Sequence, residues 1–391
     1  MKNNRTFLEK LLDGAEVEWK PLIKVASLTR GRVISKEYLA NNLGDYPVYS
    51  SQTVNNGEIG KINSFDFDGE FVSWTTDGAN AGTVFYRSGK FSITNVCGLI
   101  KIQNNLELNY KFLFYWLSIE AKNHVYSGMG NPKLMSHQME KILIPIPPLS
   151  IQTEIVRILD ALTALTSELT SELILRQKQY EYYREKLLSE EELGKVGFEW
   201  KTIDEISKKI SSGGTPTTSN NGYYDNGTIP WLRTQEVDFK EIWDTNIKIT
   251  EDALNNSSAK WIPANCVIVA MYGATVGKTA INKIPLTTNQ ACANIEINDK
   301  LACYRYIFHY LTSKYEYIKS LGSGSQTNIN AQIIKKLKVP VPPIEEQYRI
   351  VSILDKFETL TNSITEGLPL AIEQSQKRYE YYRELLLNFK Q

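Results

Sequence analysis

Cysteine and histidine are scarce in this chain, with four and three among 391 residues. None of the cysteines (Cys97, Cys266, Cys292, Cys303) stands in a CxxC pair, so neither a zinc framework nor a disulfide scaffold is implied. No stretch has the unbroken apolar length of a membrane span. The opening MKNNRTFLEKLLDG lacks the apolar core and cleavage site of a secretion signal. These absences predict a cytoplasmic chain with no membrane partner. Net charge is missing too, since 44 Lys+Arg balance 44 Asp+Glu, and this removes the basic excess that marks many nucleic-acid binders. Also absent are a GxGxxG loop and an Asn/Asp-Pro-Pro-aromatic run able to hold a flipped adenine. No catalytic residue and no metal site are expected.

What the chain does contain is an internal repeat, which bears on architecture before any motif does. IPIPPLSIQTEIVRILD from Ile144 closes with YEYYREKLL, and VPVPPIEEQYRIVSILD from Val339 closes with YEYYRELLL. The offset of 195 (339 − 144) also relates Gly78-Ala79 and Gly82 to Gly273-Ala274 and Gly277, and Cys97 to Cys292. Glu18-Trp19-Lys20 recurs as Glu199-Trp200-Lys201. Glu9-Lys10-Leu11-Leu12 repeats Glu185-Lys186-Leu187-Leu188, so the opening residues resemble a helix tail and the order is cyclic. The two termini are therefore expected near each other. Between these anchors the arms differ, as if one scaffold carried two different modules.

Each arm has short β-branched or aromatic runs bounded by Gly, Asn and Asp, such as Tyr46–Tyr49, Phe71–Trp74 and Cys266–Ala270, which read as strands. A helix follows in each, over Lys111–Leu117 and Tyr304–Leu311. Gly-rich loops (Ser127–Gly130, Gly322–Ser325) and the pairs Pro147-Pro148 and Pro342-Pro343 end the arms. Beyond the prolines the period becomes helical, with Ile151, Ile155, Ile158, Leu162, Leu165, Leu169 and Leu173 in the first copy and Ile350, Ile353, Phe357, Leu360 and Ile364 in the second. Forty residues make a rod of roughly 60 Å, and such rods need each other as antiparallel partners. The first holds a four-residue repeat, LTAL-TSEL-TSEL. The second has four extra residues around Gly367-Leu368-Pro369, where a kink or break is expected.

Two variable arms, each followed by PxPPxxxQxxIVxILD and a helix ending in YEYYRE, resemble the specificity subunit of type I restriction–modification systems. The LTAL-TSEL-TSEL tract resembles the subclass with TAEL-type spacer units. The resemblance covers essentially the whole chain. It implies an α+β fold, with two strand-rich target-recognition domains (1–143, of which 1–14 is the helix-like tail, and 194–338). Two conserved helices (144–193 and 339–391) would pack as an antiparallel coiled coil. It further implies a non-catalytic subunit whose domains each read half of a split asymmetric site on double-stranded DNA. The expected partners are two modification subunits, which bind S-adenosylmethionine and methylate adenine N6, and restriction/translocase subunits that use ATP and Mg. No cofactor is expected in this chain itself. The alternative is a stand-alone DNA-binding regulator or DNA-modifying enzyme built on the same arms.

Gly273–Thr279 invites a phosphate-loop reading, but three residues separate its glycines where the P-loop needs four, and its counterpart Gly78–Val84 has no lysine. A turn between strands is the better reading. For DNA contact, loop hydroxyls and amides beside Arg or Lys are the natural material. In the first arm these are Arg30, Arg32, Ser51, Gln52, Thr76, Asn80, Asn131 and Lys133. In the second they are Thr215, Thr217, Arg233, Thr234, Gln235, Thr275, Lys278, Gln326, Thr327 and Asn328. Trp74 and Trp231 fit a buried aromatic as well as a DNA contact.

Overall fold

The computed structural model describes residues 6–128, 130–322 and 328–390. Gln326 and Thr327 lie outside the described residues. The chain divides into two compact units, Met1–Leu169 with Ile372–Gln391, and Thr170–Ala371.

In the first unit six strands form one sheet in the order Ala26–Arg30, Cys97–Ile102, Phe67–Thr75, Val84–Ile93, Leu43–Tyr49 and Glu58–Ile62. All neighbours are antiparallel except Leu43–Tyr49 beside Val84–Ile93. Trp74 is fully buried and donates its indole N–H to the Leu134 carbonyl at 2.9 Å. Its ring lies so close to Gly98 that a Cβ there would sit 2.1 Å from it, so only glycine fits. Trp74 is thus a packing residue. So is the buried Trp231 of the second unit, which donates to the Gly214 carbonyl at 3.0 Å.

The second unit holds a five-stranded sheet (Ser207–Ser212, Cys292–Ile297, Val267–Ala270, Thr279–Asn282, Lys240–Ile242) and a four-stranded one (Lys248–Ile249, Ile229–Leu232, Leu286–Thr288, Trp261–Ile262). The mixed α+β class read from the sequence is the class observed.

A two-stranded ribbon closes each arm, Glu18–Pro21 on Leu143–Ile146 and Glu199–Thr202 on Lys338–Val341. This gives the repeated Glu-Trp-Lys its structural role: Trp19 pairs with Pro145 and Trp200 with Pro340, and each ribbon delivers the chain to its proline pair. Lys20 and Lys201 bind Glu18 and Glu199 on the same strand, each at 3.0 Å.

The first long helix is continuous over Leu149–Leu187, 39 residues. The second copy is two helices of 19 residues, Ile344–Asn362 and Leu368–Leu386. The break falls at the expected place, with Gly367 in the left-handed region (φ +84°) and Pro369 in the first turn of the new helix, where its missing N–H is harmless. Within the first unit the helices run antiparallel. The Thr166 and Ser375 hydroxyls lie 2.8 Å apart, while Leu386, Leu387 and Phe389 join the core that holds Ile155 and Leu159. Within the second unit Tyr183 stacks on Phe357 (centroids 5.6 Å), and Leu188 shares a core with Ile350. One detail of the seam differs from the sequence reading. Leu165 turns outward, and Thr166 takes its place between the half-buried Leu162 and Leu169. The 4-3-4 spacing of 162, 166, 169 and 173 keeps one face better than leucine identity does.

The helix at Phe7–Leu12 opens with a Thr6–Glu9 capping box and buries Leu8 beside Leu386 and Leu387. Lys390 Nζ lies 3.8 Å from Glu9 Oε1, so the segments near the two termini meet as the cyclic repeat requires. Among the described residues no helix is long and apolar enough to cross a membrane.

Candidate nucleic-acid interface

The mount for each arm is the same. Gln152 and Gln347, the glutamines of the PxPPxxxQ motif, are fully buried. Gln152 accepts from the Asn109 N–H (2.9 Å) and donates to the Glu107 and Pro147 carbonyls (2.8 Å each). Gln347 accepts from the Cys303 N–H (2.8 Å) and donates to the Pro342 carbonyl (2.9 Å). Each thus joins the start of the arm's helix (Tyr110–Glu120 or Tyr304–Ser313) to the start of the long one. Eight residues further on, the aspartates of the two Ile-Leu-Asp triplets make a second clamp. Asp160 receives Lys111 Nζ (2.5 Å) and the Tyr115 hydroxyl (2.6 Å). Asp355 receives Arg305 (2.7 Å) and His309 Nε2 (2.8 Å).

Burial alone would push the Asp355 carboxyl up, but the His309 and Arg305 hydrogen bonds hold it below the ordinary aspartate range. Neighbouring Glu358 goes the other way, pushed up by burial against the pull of His309 and Arg305. His309, Asp355 and Glu358 place ligand atoms within 4.8 Å of one another. The Arg305 guanidinium binds both carboxylates there and supplies the positive charge that a metal ion would. Sequence reasoning passed over Gln152, Gln347, Asp160 and Asp355, although a polar residue recurring at one offset on an apolar helix face was the available signal.

On that mount the eight residues picked in the first arm fall on one set of loops. Arg30 ends its strand and donates to Thr76 Oγ1 and the Asn95 carbonyl (2.7 Å each) and to Asp77 (3.3 Å). Thr76 is itself buried, with its hydroxyl on Asp77 (2.7 Å). Lys133 Nζ lies 3.9 Å from the same carboxylate. Arg32 pairs with Asp66 (2.9 Å). The Asn80 amide donates to the Ser51 carbonyl (2.9 Å), and Gln52 donates to the Glu58 carbonyl. Asn131 is exposed next to Pro132, whose carbonyl accepts from the Gly78 N–H.

The second arm repeats the device with other side chains. Gly78–Gly82 and Gly273–Gly277 are the same turn, with φ between +81° and +90° at all four glycines. Strands flank both (Phe67–Thr75 and Val84–Ile93, Val267–Ala270 and Thr279–Asn282), so the phosphate-loop geometry of a helix following the glycines is absent. The Leu134 N–H donates to the Thr76 carbonyl, and the Ile329 N–H donates to Met271 at the matching offset. Thr275 donates to the carbonyl of buried Thr234 (2.7 Å), Lys278 pairs with Asp238 (2.6 Å), and Thr215 bonds Gln290. Arg233 is half-buried and Gln235 exposed in the Thr234 loop. Thr217 is exposed beyond Thr215, and Asn328 is half-buried before Ile329. Sequence reading missed the partners: Asp66, Asp77, Asp238 and Gln290. Most of the basic side chains picked for DNA contact already hold a carboxylate.

Comparison with known proteins gives the following. The family model described as "Type I restriction modification DNA specificity domain" matches residues 15–176 and 195–374. A putative type I restriction enzyme specificity subunit of Haemophilus influenzae is 40% identical over 407 residues, covering 100% of both chains. A type I restriction enzyme specificity subunit of Escherichia coli is 38% identical, covering 98% of this chain and 97% of that one. The crystal structure of a type I restriction–modification S subunit from M. genitalium superposes with a TM-score of 0.62 at 15% identity, over 97% of this chain and 98% of that one. At that identity the likeness speaks for the fold.

Proposed function

Given that the chain belongs to the type I restriction–modification DNA specificity family, we propose that its two arms each read one half of a bipartite, asymmetric DNA site and that the long helices set the gap between the halves. Its role in the type I complex is DNA sequence recognition, without catalysis of its own. The observation that carries the bipartite reading is the repeated mount with unlike surfaces. The same buried glutamine, aspartate clamp and glycine turn recur in both arms, while the loop side chains beside the turn differ. A duplicated scaffold with divergent loops suits two different half-sites, each mismatch in which would weaken binding by about 1–3 kcal/mol.

The finer assignments are part of the same reading. Two modification subunits dock on the repeated helices, bring S-adenosylmethionine and flip the target adenine out of the stack. Restriction subunits bring Mg-dependent ATP hydrolysis. In this reading the cofactors belong to those subunits. The carboxylates on Arg30, Arg32, Lys133 and Lys278, with zero net charge, fit a subunit that binds DNA weakly until its partners add basic surface.

The test is adenine methylation with and without a co-expressed modification subunit. Methylation at a split motif is expected only with the partner, and methyl transfer by this chain alone overturns the reading.

A further inference from the structure

Resting on the reading of the first arm as a DNA reader, we propose that the loop tip Thr53–Asn56 enters the major groove and that Val54 recognises the 5-methyl group of one thymine in the first half-site. Val54 is 76% exposed, a branched apolar side chain with nothing to pack on. It is nonetheless held in a fixed place. Asn55 and Asn56 both take the left-handed conformation (φ +49° and +53°) and Gly57 follows at +83°, a run that asparagine tolerates at about 1 kcal/mol or more per residue.

What holds the strained run is Arg87, only 2% exposed. Its guanidinium lies 3.6 Å from the Tyr49 ring centroid and 4.4 Å from that of Phe85, and burial pushes its pKa down to about 10. It donates to Ser73 Oγ at 3.1 Å and to the Asn56 carbonyl at 2.8 Å. A Cβ on Gly57 would meet that guanidinium at 3.1 Å, and the Ser50 N–H closes the loop on the Gly57 carbonyl at 2.9 Å. Ser51 and Gln52 are tied down within the structure by Asn80 and the Glu58 carbonyl. The tip that remains outward is Thr53, Val54, Asn55 and Asn56, all exposed. Asn80 of the Gly78–Gly82 turn bonds the Ser51 carbonyl, two residues before the tip.

A buried cation spent on bracing a strained, exposed tip makes sense when the tip must arrive preorganised at its ligand. Its composition matches an A·T pair in the major groove, where aliphatic side chains contact the thymine methyl and asparagine amides pair with the adenine edge. Arg87 acts through the Asn56 carbonyl as a positioning residue.

Genome-wide mapping of methylated adenines first defines the motif. Duplexes are then made with each thymine of the motif replaced singly by deoxyuridine, which lacks only the 5-methyl group. With the assembled wild-type methyltransferase, one such replacement, confined to one half of the motif, slows methylation at subsaturating DNA by about four-fold, the worth of one buried methyl group. With Val54→Ala that sensitivity disappears while every other thymine responds as before. With Arg87→Lys the same single sensitivity weakens, whereas a purely structural role would lower activity on all duplexes equally. Identical deoxyuridine profiles for wild type and Val54→Ala overturn the proposal, as does a Val54→Ala chain that fails to assemble with its partner. A wild-type complex that methylates without any split motif overturns the DNA-reading premise instead, so the two failures are distinguishable.

Discussion

Asp160 and Asp355 hold one position in the two copies of the repeated helix and receive donors of different chemistry, Lys111 with Tyr115 in the first and Arg305 with His309 in the second. The carboxylate is the constant part of the clamp. What it grips varies with the arm, so the mount accepts different recognition modules without being rebuilt.

The two clamps should differ in strength. Asp160 and Lys111 are each more than a third exposed, whereas His309 is fully buried and Arg305 only 16% exposed beside Asp355. Asp160→Asn is expected to lower unfolding stability by about 1 kcal/mol and Asp355→Asn by about 2 kcal/mol, as read from urea midpoints. Equal losses would show that burial does not govern the clamp.

The Asp355 clamp also fixes a pH dependence. Its carboxyl titrates below the ordinary value in the folded state, so its contribution is complete above the unfolded pKa near 3.9 and is lost as pH falls through the lower folded value. Wild type and Asp355→Asn should differ in stability at pH 7, with the gap narrowing as pH falls below the unfolded value near 3.9. Thermal melts across pH 3–7 check this, and a constant gap would contradict it.

Removing the buried glutamines should cost more than an ordinary hydrogen bond, because backbone groups are left unpaired out of water. Gln152→Ala strands one N–H and two carbonyls and is expected to cost about 3 kcal/mol. Gln347→Ala, with two such bonds, is expected to cost about 2 kcal/mol. Denaturant titration of both variants gives the order.

Carboxylates on the recognition loops should restrain electrostatic binding. Asp77→Asn removes the negative charge beside Arg30 and Lys133, and Asp238→Asn removes the one beside Lys278. Each variant complex should bind non-specific DNA more tightly at low salt. The slope of log K against log[salt] should steepen by about 0.9 per phosphate gained. An unchanged slope would place these side chains away from the backbone.

Deleting Thr170–Leu173 removes one four-residue unit, about 6 Å of helix, and carries Thr166 and its bond to Ser375 unchanged. The methylation motif should keep both half-sites and lose spacing between them. Altered half-sites would contradict a helix that only measures distance.

Much of this was legible in the chain. The strands, the arm helices and the break at Gly367 all followed from local pattern, because proline and glycine limits and apolar periodicity act within a few residues. The site was legible only in outline. The picked loops do cluster, but Asp66, Asp77 and Asp238, which hold their basic residues, are far away in sequence and carry no local mark. The seam misread Leu165 for the same reason, since which face a residue takes depends on the helix opposite.

The repeat alone determined that there are two arms, one mount and a cyclic order, because duplicated sequence under the same physical rules folds twice the same way. Tertiary structure decided what the repeated polar residues are for. A glutamine and an aspartate inside a hydrophobic periodicity look like surface residues until folding buries the glutamine against backbone groups and sets the aspartate, half-buried, on donors tens of residues away. Likewise Arg87 looks like one more basic strand residue, and only the fold places it under the Asn55–Asn56 turn. Side-chain burial and long-range partners are properties of the assembled core, and no local stretch of sequence contains them.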